Sequence, residues 1–190
     1  MSLHGFDRAL LPATPWKNGG GVTREIVCQP PGAGMADFDW RVSIADISSD
    51  GPFSIFPGVD RVITLLEGAG VHLHSSDGAL DHVLNTALQP FAFAGETPVL
   101  GHLLDGTSQD FNVMTRRAAC RAEMQLCQGA STVRASAGLL LAVRGHWHVA
   151  AHRLKPSQGL WWNASAQTLD LRCDDANAAL LSVQIERVAP

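Results

Sequence analysis

The chain has 190 residues, 46% of them apolar and 17% charged, which supports a sizeable core and excludes a disordered chain. Its net charge of −4 is spread without any cluster of Lys or Arg, which argues against nucleic acid or an anionic membrane as partner. No apolar run approaches the ~20 residues of a membrane span, and the opening MSLHGFDRALLPATP has no basic and then apolar leader, so a cytoplasmic location is expected.

From the N-terminus, PWKNGGGVTREI (15–26) places three consecutive glycines before the strand-like run VTREIVC (22–28). Lys17, inside this stretch, is one of only two lysines among 14 basic residues. The stretch lacks the GxxxxGK[ST] spacing and leads into a strand, so no helix N-terminus is available to cradle a phosphate. WRVSIADI (40–47) alternates, with Trp40, Val42 and Ile44 on one face and Arg41, Ser43 and Ala45 on the other. The loop SSDGPFSIFPG follows, its Pro57-Gly58 suited to a type II turn.

RVITLLEG (61–68) is apolar on both faces, as a buried strand would be, with Arg61 sharing a face with Ile63 and Leu65. GVHLH (70–74), PFAFAG (90–95) and DFNVMTRR (110–117) come next; in the last, Asp110 and Asn112 lie opposite Phe111 and Val113. RRAACRAEMQL (116–126) has helical propensity, but an edge strand or a connector fits it equally. GLLLAVRG (138–145), HWHVAAHRL (146–154), LWW (160–162) and LLSVQIERV (180–188) continue the short strands. This pattern predicts an all-β sandwich or barrel. TLLEGAGVHLH (64–74) and LLLAVRGHWHV (139–149) share an apolar run, a charge with glycine, and His-x-His, a hint of two similar β-units.

The pairs His72/His74 and His146/His148 each point one way from a strand, as two ligands of one ion must. Neither is followed by a Glu at the offset a metal-binding cupin needs, so the imidazoles read as the polar faces of strands and no metal or cofactor is expected. Cys28, Cys120, Cys127 and Cys173 form no CxxC pair and read as small hydrophobes.

WKNGGGVTREI (16–26), WRVSIADI (40–47), GPFSIFPGVDR (51–61), FAFAGETP (91–98) and DFNVMTRR (110–117) together resemble the signature blocks of the HutD/Ves family. The resemblance implies a cupin-superfamily double-stranded β-helix with two barrel-like halves: an N-terminal half, 1–118, carrying the blocks, and a C-terminal half, 119–190, packed on it. It also implies an association with histidine utilisation, and a non-catalytic protein that binds a carboxylated metabolite of that pathway, urocanate or a formyl- or formimino-glutamate, and modulates it.

The candidate ligand-binding residues are Trp16, Lys17, Asn18, Thr23, Glu25, Arg41, Ser43, Phe53, Arg61, Asp110 and Asn112. Lys17 offers a compact charge for a carboxylate, and Asn18 either holds a turn or donates to the ligand. An arginine facing a barrel interior must be paired or meet an anion, because a buried unpaired charge is costly. Arg41 and Arg61 therefore either pair with Glu25 or Asp60 or bind the ligand. Trp16, Trp40, Phe53 and Phe56 can wall a pocket for a flat ligand, although Trp40 also fits the core. Asp110 and Asn112 either complete the pocket or satisfy neighbouring backbone. The alternative function is a metal-independent deformylase or isomerase with Glu25 as general base. Pairing of exposed strand edges makes a homodimer the expected assembly.

Overall fold

A computed structural model describes residues 2–163 and 165–188. The strands in chain order are β1 His4–Asp7, β2 Ala13–Pro15, β3 Gly21–Gln29, β4 Trp40–Ile47, β5 Gly51–Pro52, β6 Val59–Glu67, β7 Val71–Ser75, β8 Asp81–Leu84, β9 Phe91–Ala94 and β10 Val99–Leu103. They continue as β11 Ser108–Arg116, β12 Cys120–Cys127, β13 Ser131–Ala135, β14 Ala137–Arg144, β15 Trp147–Val149, β16 His152–Leu154, β17 Gln158–Trp162, β18 Gln167–Cys173 and β19 Ala179–Arg187. The described residues contain one short 3-10 turn, Arg8–Leu10, and no α-helix. No helix among them is therefore long and apolar enough to cross a membrane.

The chain divides into two compact units, Pro12–Cys120 and Met1–Leu11 with Arg121–Pro190. The first contains a six-stranded sheet in the order β2-β3-β4-β11-β6-β9 and a four-stranded sheet β5-β10-β7-β8. The second contains β1-β17-β14-β19-β12 and β13-β18-β15-β16. Adding eight to each strand number turns β4-β11-β6-β9 into β12-β19-β14-β17, and β5-β10-β7-β8 into β13-β18-β15-β16. The His-x-His likeness is the visible trace of this repeat. In both copies the apolar run ends a strand of one sheet, and a glycine of positive φ, Gly70 at 108° or Gly145 at 72°, leads into a strand of the other that holds His72 and His74 in the first copy and His148 in the second, His146 lying just before it.

Strand period, not helical propensity, decides 120–127. Cys120 and Met124 are buried and Ala122 partly so, while Arg121, Glu123 and Gln125 are exposed, the period of two that a strand gives. HWHVAAHRL is a hairpin, β15 and β16, reversing at Ala150, whose φ is 51°. The Pro57-Gly58 turn forms as its residues predict: Val59 N–H donates to Phe56 O at 3.3 Å and Gly58 has φ 72°. All four cysteines are free thiols.

In the unit Pro12–Cys120 a core of Ile47, Ile63 and Leu65 from the larger sheet meets Val71, Leu73 and Val99 from the smaller. Each such side chain contributes about 1.5–3 kcal/mol on leaving water. The other unit is filled by Trp147, Trp162, Leu140, Leu160 and Leu171.

Candidate functional site

Antiparallel pairing of β3, β4, β11 and β6 sets side chains on one sheet face in rows. Arg61 stands opposite Met114, and Met114 opposite Arg41. The next row is Ile63, Asn112, Ser43 and Glu25; the next is Leu65, Asp110, Ala45 and Thr23. This is the face that carries Ile47, Ile63 and Leu65 into the core, so its apolar part ends where Arg41, Arg61, Asp110 and Asn112 begin. The polar part lines a cavity of about 580 Å³, within the range of small-metabolite sites. Ten of the eleven sequence candidates line it, all except Glu25.

The Trp16–Gly21 turn forms part of the rim. Gly19 N–H donates to Trp16 O at 3.0 Å, and Trp16 N–H to Gly21 O at 2.9 Å. The Asn18 carboxamide oxygen accepts from Gly20 N–H at 3.1 Å, so Asn18 holds the turn. Gly19 has φ 72°, and a Cβ on Gly21 would fall 2.3 Å from Asp46 O and 3.1 Å from the Trp16 ring. The glycine run thus supplies one left-handed residue and one close approach, and it leaves Lys17 exposed at the cavity lining. Trp16 Nε1 donates to Thr23 Oγ1 at 2.7 Å, fixing the indole against the wall. Phe53 occupies space that Gly101 leaves open; a Cβ there would lie 2.9 Å from its ring.

The two arginines differ. Arg41 donates through Nε to Glu25 Oε2 at 2.7 Å and through NH1 to Ser43 Oγ at 3.3 Å, so its charge is already met. Asp60, the other partner considered, is taken by Arg117 at 2.7 Å. Arg61 is 6% exposed, and its Nε has no hydrogen-bond partner. Its guanidinium carbon lies 5.3 Å from the Phe53 ring centre, 5.9 Å from Phe56 and 5.0 Å from Phe93. Three phenyl faces hold the cation without neutralising it. Burial lowers Arg61 to about 10, Asp110 pulling against this and Arg41 adding to it.

Asp110 is 3% exposed and Asn112 7%; Oδ1 of each lacks a partner. Burial pushes the Asp110 carboxyl up to about 6, against the pull of Arg61 and of backbone N–H groups of Ala45 and Asp110, while Asp46 pushes it further up. Trp40, 1% exposed and on the other face of β4, is a core residue and does not line the cavity. Sequence reasoning left out Met35, Met114 and Phe93. Met114 was within reach, being two residues from Asn112 on the same face. Phe93 depends on β9 placing it opposite Arg61, a register with no local signal.

The His-x-His residues lie outside this cavity. His72 meets Asp81 at 2.6 Å and His148 meets Asp174 at 2.8 Å; His74 stacks on His102, which meets Asp50 at 2.9 Å. Among the described residues no group of three or more His, Cys, Asp or Glu is placed to hold a metal ion.

Comparison with known proteins yields one consistent result. The family model HutD matches residues 8–181. Protein Ves of Cronobacter sakazakii is 46% identical over 168 residues, 87% of this chain and 90% of that one. The structure of HutD from Pseudomonas fluorescens SBW25, solved in a formate condition, has a TM-score of 0.87 at 30% identity, covering 99% of this chain and 100% of that one. A conserved protein of unknown function from Pseudomonas aeruginosa PAO1 has a TM-score of 0.86 at 33% identity, covering 98% and 100%. YhhW from Escherichia coli, 9% identical with a TM-score of 0.65, shares the fold alone.

Proposed function

The chain belongs to the HutD family, with a cupin-like all-β fold, and from that premise we propose that its Pro12–Cys120 unit binds a small carboxylate without transforming it. The observation that carries this reading is Arg61: a buried guanidinium, caged by Phe53, Phe56 and Phe93, whose Nε no protein group meets. Leaving a buried donor unmet costs about 1–3 kcal/mol, and more for a charged group, so a bound anion is the natural complement. Carboxylate and guanidinium match as planar, two-point partners. Lys17 at the lining adds a second positive charge that draws an anion inward. The candidate ligands are urocanate, N-formylglutamate and formiminoglutamate, and the role is to modulate histidine catabolism. The repeated strand order supports reading the two units as N- and C-terminal cupin-like halves, the ligand belonging to the first.

The alternative, an enzyme with Glu25 as general base, has less support. Glu25 is half-exposed, accepts from Arg41 and does not line the cavity. Calorimetric titration of the three candidates into native protein and into Arg61→Leu tests the proposal. Binding by the native protein that the variant loses is expected. Mass spectrometry of the same mixtures at high protein concentration separates binder from enzyme, since a new product would overturn the non-catalytic reading.

A further inference from the structure

The outward face of the sheet β5-β10-β7-β8 carries a histidine cluster that takes no part in the cavity. Val71, Leu73 and Val99 point from this sheet into the core, so alternation turns His72, His74 and His102 to the other side. His72 stands opposite His102 across β7 and β10, and His74 lies two residues further along β7, opposite Leu100. The ring centres of His72 and His74 are 5.3 Å apart, and those of His74 and His102 are 5.0 Å apart. Two imidazoles that share an ion at about 2.0–2.1 Å have ring centres about 5 Å apart. His72 and His102 each also meet a carboxylate. His72 Nε2 lies 2.6 Å from Asp81 Oδ1, and His102 Nδ1 lies 2.9 Å from Asp50 Oδ2, Asp50 being anchored by Leu103 N–H at 2.8 Å. A carboxylate that takes one ring N–H fixes the tautomer and leaves the other nitrogen to ligate.

We infer that this face binds a divalent transition ion of the imidazole-favouring kind (zinc, nickel or copper) through His72, His74 and His102, with water in the remaining positions. As the rings stand, no three such groups among the described residues converge on one point, and His74 and His102 lie parallel within 5°. Rotation of these partly exposed rings completes the set. The Glu offset sought along the sequence concerns ligands from a single strand, whereas the third imidazole comes from the neighbouring strand β10. The repeat supplies an internal comparison. In the sheet β13-β18-β15-β16, His148 takes the place of His72, but Arg172 stands where His102 does and Arg153 where Val83 does. Two guanidinium groups beside a single imidazole repel a cation. The first face has no Lys or Arg at the matching positions.

Calorimetric titration of Zn²⁺ into tag-free, chelator-stripped protein tests the inference. Native protein should bind the ion saturably at 1:1, and His74→Ala and His102→Ala should each weaken binding by about 10-fold or more. Asp50→Asn removes the charge behind His102 but no ligand, and should weaken binding by about 10-fold. His148→Ala, on the other unit, should bind as native protein does. All four side chains are at least partly exposed, and circular dichroism checks that each variant folds. No saturable binding by native protein, binding untouched by His74→Ala and His102→Ala, or an equal loss in His148→Ala would overturn the site. Native affinity in Asp50→Asn would overturn the part given to that carboxylate.

Discussion

Arg61 on β6 and Asp110 on β11 face one cavity from adjacent strands, opposite in charge and both buried, and each keeps a polar atom that no protein group meets. A structural ion pair would close that gap. Here the guanidinium is instead held by three phenyl rings, and the carboxyl feels the arginine only through space. Such an arrangement gives up stability for readiness, as binding sites commonly do.

Asp110 makes the cost of that readiness measurable. The folded state holds its proton more tightly than the unfolded chain, because burial raises it from 3.8 to about 6. Stability from this group therefore declines as pH rises from about 4 to about 6, and the full cost, about 3 kcal/mol, is present at neutral pH. The charges acting on it are Arg61, which favours ionisation, and Asp46, which opposes it. Asp110→Asn should be more stable than native protein at pH 7, with the advantage fading by pH 4. Urea unfolding of both proteins at several pH values checks this; a constant difference between them would contradict it.

Glu25 restrains Arg41. In Glu25→Ala, Arg41 keeps Ser43 as partner but its charge is released towards the cavity. Carboxylate affinity should rise by roughly two- to five-fold at low salt, and the gain should shrink in 0.5 M salt, as screening of a half-exposed pair requires. Titration at two salt concentrations measures both effects. An enzyme using Glu25 as base would instead lose turnover in this variant.

The three glycines should respond differently to alanine. Gly21→Ala drives a Cβ into Asp46 O and the Trp16 ring, destabilising by about 1–3 kcal/mol and loosening the rim. Gly19→Ala must adopt a positive φ and costs about 1 kcal/mol. Gly20→Ala meets the Ser49 hydroxyl at 3.0 Å and the Asn18 carboxamide oxygen at 3.4 Å, both side-chain ends that can give way, and should cost the least of the three. Thermal melts of the series should rank Gly20→Ala above Gly19→Ala above Gly21→Ala.

Much of this site is legible in the sequence, because a strand reveals its faces through a period of two. That period alone puts Arg41 with Ser43, Arg61 with Ile63, and Asp110 with Asn112. What it cannot supply is which strands lie side by side. Register across strands decides that Glu25 pairs with Arg41, helped by the bulge between Glu25 and Val27, and that Arg117 rather than Arg61 takes Asp60. The same register places Phe93 against Arg61. At 120–127 local propensity favours a helix, and burial of Cys120 and Met124 overrides it. For Trp40 the sequence favours the core over the pocket wall, and its burial on the face of β4 opposite Arg41 agrees.

The most direct measurement is a titration of urocanate and N-formylglutamate into native protein and Arg61→Leu at pH 7, with circular dichroism confirming that both are folded. Leucine keeps an apolar stem as far as Cδ and removes the guanidinium that the three phenyl rings surround. Saturable 1:1 binding by the native protein, weakened about 100-fold or more in the variant, is the expected result. Equal binding by both proteins, or none by the native protein, would contradict the assignment of Arg61 as the carboxylate receptor.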